Sequence, residues 1–153
     1  GEIGHIPMNR KEILTCNCGN KGCVDQCASA TGIVRYARQM MEASEEPSKL
    51  REIENLTSRD VCDCAKEGDT LALCCIETCM EPLGAGLACF SHAFDPEVYV
   101  IGGGVSNAGD LIVEAIRKGY KEHMYLSEGA DIRLAKLGND AGMIGACMLA
   151  AKR

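Results

Sequence analysis

Three cysteines within eight residues, Cys16-Asn-Cys18-Gly-Asn-Lys-Gly-Cys23, constrain this chain more than any other feature. Sulfurs so near in sequence converge on one point only if the backbone between them turns tightly, and Gly19 and Gly22 permit that turn. The stretch from about Asn9 to Val24 therefore reads as a loop. His5, upstream, completes a set of three thiolates and one imidazole. Such a Cys₃His set is the closed tetrahedral coordination of a structural zinc, with no position left for a catalytic water. The competing reading is three free thiols in a polar loop beside an unrelated histidine. Cys27 follows Cys23 by four residues, on what reads as a helix, and is expected to face the core.

The other cysteines need a different account. Eleven are present in all, and Cys62, Cys64, Cys74, Cys75, Cys79, Cys89 and Cys147 lie in helical stretches among Ala, Leu and Ile. They are expected to act as small core hydrophobes. An odd total and helical positions argue against a secreted disulfide framework, so a reducing cytoplasm is the expected location. The 153 residues suffice for one ordinary core, and 46% hydrophobic against 25% charged is a globular composition. A net charge of -6 disfavours nucleic acid and anionic membranes as partners. A small anionic ligand remains possible through backbone donors and a metal ion. No uncharged apolar run reaches 18 residues, so no membrane span is expected, and no signal peptide is visible. The chain opens GEIGHIPM, without an initial Met, and reads as processed, split or truncated.

Periodicity predicts the remaining elements. Residues 1–8 read as the end of an extended segment. A helix is expected from Asp25 to about Ala43, with Ala30, Ile33, Val34, Ala37 and Met41 at helical spacing. A polar connector with a short helix follows, then a helix capped by Thr57 or Ser58 that stops at Gly68. Asp69 caps a long helix to about His92, with a kink or break expected near Met80 because of Pro82. Val98–Ile101 reads as a strand buried on both faces, ended by Gly102, Gly103 and Gly104. A helix from about Asn107 to His123, a strand at 131–135 and a last helix complete an α/β layer architecture. Asn139 and Asp140 read as caps of that last helix. His92 and His123 read as residues at helix ends, without a functional role.

GEIGH, CNCGNKGC with VDQCASATGIVRYAR, DPEVYVIGGGVSNAGD and LAKLGNDAGMIGAC together resemble the ROK family of sugar kinases and sugar-responsive repressors. The resemblance runs the length of the chain. It implies the α/β actin-like (ribonuclease-H-like) sugar kinase fold, of which this chain is the C-terminal portion with an inserted zinc loop. Residues 1–45 would be the sugar-site and zinc-loop region, and 57–153 the helical, nucleotide-side α/β region. The resemblance also implies zinc at His5, Cys16, Cys18 and Cys23, with Glu2 and His5 on the sugar hydroxyls. The family's next sugar ligand is usually a Glu, but here Asp25 stands in its place, its carboxylate drawn back by one C–C bond of about 1.5 Å. Gly102, Gly103 and Gly104 match the adenosine-side loop.

The implied activity is ATP-dependent phosphorylation of a hexose, glucose first, with Mg²⁺ accompanying ATP. The family's D-x-G-x-T phosphate loop and catalytic Asp are absent from these residues. No catalytic residue is therefore assigned here, and this chain alone is expected to be inactive. The expected partners are hexose, ATP, the missing N-terminal half and further copies in a dimer or tetramer. The alternative is the sugar-sensing domain of a ROK-type repressor; the glycine loop favours a kinase.

Overall fold

The computed structural model describes residues 2–125 and 129–151. Gly1 of the GEIGH segment, residues 126–128 and 152–153, and the side chain of Asn139, expected to cap the last helix, lie outside the described residues. Six α-helices and two strands follow in order among the described residues: α1 (Asp25–Ala28), α2 (Ala30–Ala43), α3 (Ser58–Lys66), α4 (Thr70–Phe94), β1 (Val98–Ile101), α5 (Asp110–His123), β2 (Asp131–Leu134) and α6 (Ala141–Ala151).

Helix α4 is the centre of the packing. Asp69 starts it by accepting from the Ala72 N–H at 2.9 Å, satisfying one of the amides that a helix start leaves unpaired. By length and composition α4 could span a bilayer, with a mean hydropathy of 1.4 in its most apolar window, yet 67% of that window is buried inside the protein. It is a core helix. It also runs through Pro82 without a break, so of the expected kink or break the break does not occur. Proline removes one backbone bond, here to the Thr78 carbonyl, but Thr78 is exposed and water can take that place, while Pro82 and Gly84–Ala88 are buried.

Small residues let α5 cross α4 at close range. A Cβ added at Gly84 would stand 2.5 Å from the Tyr120 nitrogen, and one at Gly119 would stand 2.9 Å from the Glu81 Cα. Only hydrogen fits at either site. Beyond the crossing, the Tyr120 and Ser91 hydroxyls meet at 2.7 Å and the Ala130 N–H donates to Tyr120 at 2.8 Å. The His123 ring contacts the Gly119 carbonyl at 2.8 Å, and His92 accepts from the Tyr125 N–H at 3.2 Å. Both histidines thus serve the fold near helix ends.

Strands β1 and β2 pair in parallel, Val98 opposite Asp131 through Ile101 opposite Leu134, with α5 as the crossover. One apolar cluster joins Ile33 and Ala37 of α2 to Val61 of α3, Ile76 of α4, Ile116 of α5 and Ile132 of β2.

Several expectations are corrected. Strand β1 is not buried on both faces, since Val98 and Val100 are 41% and 63% exposed. No described residue of α6 is buried, although the helix is apolar all round. Nothing among the described residues buries α6 or the exposed face of β1. Residues 3–5 form a 3₁₀ turn in place of an extended segment, because the Glu2 and Ile3 carbonyls accept from the His5 and Ile6 amides. The helix expected from Asp25 is interrupted at Ser29, which is extended and caps α2 through the Gly32 N–H at 3.1 Å. Of the seven later cysteines, Cys62, Cys64, Cys75 and Cys79 are buried, but Cys74, Cys89 and Cys147 are exposed. Burial pushes the Cys62 thiol up to about 11, and Cys79 is raised by its neighbour Cys75 and by burial, so these core thiols stay neutral.

The crossing makes a direct prediction. Gly84→Ala forces α4 and α5 apart and lowers stability by about 1–3 kcal/mol, as overpacking does, read as a lower urea midpoint at unchanged slope.

Candidate functional site

The loop between His5 and Val24 is a pinched hairpin. Isolated antiparallel bridges pair Pro7 with Cys23 and Thr15 with Lys21. The Cys16 amide donates to the Asn20 carbonyl at 2.7 Å, the Gly19 amide to the Cys16 carbonyl at 2.8 Å, and the Val24 amide to the Ile6 carbonyl at 3.0 Å. Gly22 has φ +80°, and a Cβ there would sit 2.0 Å from the Asn9 carbonyl oxygen. No other residue fits that position without moving the hairpin.

This folding brings the four sequence-predicted ligands together. One donor atom from each of His5, Cys16, Cys18 and Cys23 lies within 4.8 Å of all the others. Cys18 Sγ is 3.5 Å from Cys23 Sγ, and Cys16 Sγ is 3.6 Å from His5 Nδ1. Zinc with bonds of about 2.3 Å to sulfur sets tetrahedral neighbours about 3.8 Å apart. The cluster thus fits a zinc-sized ion in both donor chemistry and size. Burial, then the Cys18 and Cys16 sulfurs, push the Cys23 thiol up to about 12, whereas the Asn20 backbone lowers exposed Cys18. A bound dication reverses the first effect, because a coordinating thiol is deprotonated outright. Cys27 takes no part: it is fully buried and meets the Tyr36 hydroxyl at 3.4 Å.

The carboxylates expected at the sugar site flank this cluster. Glu2 is exposed and precedes the 3₁₀ turn that carries His5. Asp25 is exposed and opens α1, two residues after Cys23. Its Cβ is 3.7 Å from the place a Cβ at Gly4 would take, so Asp25 sits against the Glu2–His5 segment. Because Nδ1 faces Cys16, the other ring nitrogen of His5 remains available to a ligand.

The glycine turn stands apart, at the end of β1. Gly103 has φ +91°, and its carbonyl accepts from the Ser106 hydroxyl at 2.6 Å. The turn leads into a 3₁₀ segment at Gly104–Ala108, and α5 begins only at Asp110; a direct delivery of the glycines to an α-helix start does not occur. A cavity of about 260 Å³ lies between Gly104, Val105 and Asn107 on one side and Arg59, Cys62 and Lys66 of α3 on the other. Its α3 wall carries no signal in the sequence.

Nor does the sequence mark the residues that brace the hairpin. The Glu12 side chain, only 4% exposed, pairs with Arg35 at 2.5 Å and accepts from the Ile13 and Leu14 amides, each at 3.0 Å. Arg35 lies 4.8 Å over the Tyr36 ring, a favourable cation–π distance. Asn9 donates to the Tyr36 hydroxyl at 2.7 Å.

The sequence pattern of the ROK family matches residues 1–153. The chain belongs to the ROK family. A glucokinase of Halalkalibacterium halodurans is 39% identical over 150 residues, covering 95% of this chain and 46% of that protein. A ROK family glucokinase from Streptomyces griseus, solved in complex with glucose and AMPPNP, superposes with a TM-score of 0.86 at 32% identity over 99% of this chain and 51% of that one. A ROK family transcriptional regulator, homologous to an E. coli MLC protein, superposes with a TM-score of 0.73 at 31% identity over 87% of this chain and 34% of that one. The ROK chain described here thus has an α/β sugar-kinase fold and spans about half the length of the kinases it matches.

The Glu12–Arg35 pair predicts a pH response of the loop. Burial raises the Glu12 carboxyl, but Arg35 and the Leu14 and Ile13 amides outweigh it and hold the group below its ordinary value. A depressed carboxyl stabilises fully above the ordinary value of about 4.3, and that contribution is lost as pH falls through the depressed one. Amide protection factors at Ile13 and Leu14 should fall over that acidic range, and Glu12→Gln should lower them already at neutral pH.

Proposed function

We propose that this chain carries the sugar-binding, metal-organised part and the nucleotide-side turn of an ATP-dependent hexose kinase, with glucose the first candidate. The observation that carries the reading is His5. One ring nitrogen faces Cys16 Sγ at 3.6 Å, which leaves the other to donate to a sugar hydroxyl. A metal held by His5, Cys16, Cys18 and Cys23 would fix the tautomer and ring direction of that donor. Zinc is the ion the donor set fits, in a structural role, since four protein ligands leave no open position.

Around this donor, Glu2 and Asp25 accept hydrogen bonds from neighbouring sugar hydroxyls. Leaving such a group unpaired once the sugar covers it costs about 1–3 kcal/mol, which is how the site discriminates between epimers. Aspartate in place of the longer carboxylate brings the sugar nearer to α1, so Asp25 is the position where sugar preference is set. Gly102, Gly103 and Gly104, with the cavity beside them, receive the adenosine side of ATP, whose phosphates carry Mg²⁺. Transfer of the γ-phosphoryl group depends on positioning and charge neutralisation. The general base that takes the proton of the attacking hydroxyl is not among these residues in this reading. It belongs to the partnering half of the kinase, which would also cover the apolar sides of β1 and α6. The protein would work in a reducing cytoplasm, where its eleven free thiols persist, and as a homo-oligomer.

A second reading, the sugar-sensing domain of a repressor, is supported by the likeness to the ROK regulator. It shares the metal and sugar residues and differs in needing no nucleotide. Isothermal titration separates the outcomes. Glucose should bind the zinc-loaded chain and lose binding on metal removal or in Asp25→Ala, and an ATP analogue should bind independently of the zinc loop. Zinc without glucose binding overturns the glucose assignment; glucose without nucleotide binding favours the sensor.

A further inference from the structure

We propose that Gln26 is the positioning residue that holds the metal loop in its ligating shape, with Arg35 and Glu12 bracing it. The inference rests on the metal reading above and assigns a role to residues outside the ligand set. Gln26 is the second residue of α1, and its side chain bridges the two arms of the hairpin. Its Oε1 accepts from the Gly22 amide at 2.9 Å and from the Cys23 amide at 3.1 Å. Its Nε2 donates to the Leu14 carbonyl at 3.0 Å. One amide group therefore fixes the ligand Cys23 on the returning arm and the peptide two residues before the ligand Cys16 on the outgoing arm.

Arg35 of α2 secures both ends of that bridge. It donates to the Gln26 carbonyl at 2.9 Å and pairs with Glu12, whose Oε1 accepts from the Leu14 amide. The Leu14 residue is thus gripped on both sides, its N–H by Glu12 and its C=O by Gln26. None of these bonds involves a metal ligand's donor atom. They tie the loop to α1 and α2, and α2 is packed into the core through Ile33 and Ala37. Without them, converging four donors would require metal binding itself to order the hairpin, and affinity would fall accordingly. Residues that orient metal ligands typically contribute about 10–100-fold in affinity.

The test is zinc affinity, measured by competition with a chromophoric chelator, for the unmodified chain and three variants. Gln26→Ala should weaken zinc about 10–100-fold. Gln26→Glu keeps both acceptor bonds to Gly22 and Cys23 but turns an acceptor toward the Leu14 carbonyl, so it should recover only part of that loss. Ser29→Ala removes the cap of α2 and a hydroxyl contact with Thr31 but none of the bonds to the hairpin; it should lower thermal stability and leave zinc affinity unchanged. If the unmodified chain binds zinc and Gln26→Ala binds it equally well, the positioning role is overturned. It is overturned too if Ser29→Ala weakens zinc as much as Gln26→Ala does, since the effect would then be general destabilisation. If the unmodified chain binds no zinc, the metal reading itself fails and this role with it.

Discussion

Three sulfurs and an imidazole held within 4.8 Å of one another are a repulsive cluster when the thiols ionise, and a dication removes the repulsion. That constraint shapes the first 28 residues. The Gly22 contact with Asn9, the Pro7–Cys23 bridge and the turn at Gly19 all bend the chain toward one point. In the proposed reading, the convergence of the ligands is what sets Glu2, His5 and Asp25 beside one another. The sugar reading is therefore downstream of the metal reading: without an organised loop, His5 is a histidine in a short exposed turn.

The remainder of the chain works as a platform. Helix α4 gives α2, α3 and α5 a common surface, and the close approach at Gly84 and Gly119 fixes how α5 leads from β1 to β2. Through α2, this core also anchors Arg35, and through Arg35 the hairpin. The glycine turn after β1 and the metal loop before α1 thus belong to one packed body, joined by the cluster that runs from Ile33 to Ile132. The outer face of β1, and α6, which adds no residue to that cluster, have no cover among the described residues.

What is legible in the sequence is local. The Thr57 cap, the Asp69 cap and the Cys-x-Cys-x₄-Cys cluster each depend on residues a few positions apart, and each lies where its spacing implies. Cys27 separates from the ligands because helical spacing turns it toward the core. The burial of β1 is not legible, because an apolar run reports what a strand needs and not whether a neighbour supplies it. The break at Ser29 hides because the helical period continues across it; its signal is a Ser three residues before Gly32, whose amide it caps. Gln26, Glu12 and Arg35 stay hidden for a deeper reason. Each is an ordinary polar residue with at least one bracing bond to a partner 9 to 23 positions away, and no period or motif marks such pairs.

The central claim is tested most directly by the X-ray absorption spectrum of zinc bound to the purified chain. The expected result is one zinc whose first shell holds three sulfurs at about 2.3 Å and one nitrogen at about 2.0–2.1 Å. A four-sulfur shell would put Cys27 or another thiol in the place of His5 and sever the proposed link between metal and sugar. A shell of oxygen and nitrogen alone, or no bound zinc, would contradict the metal centre itself.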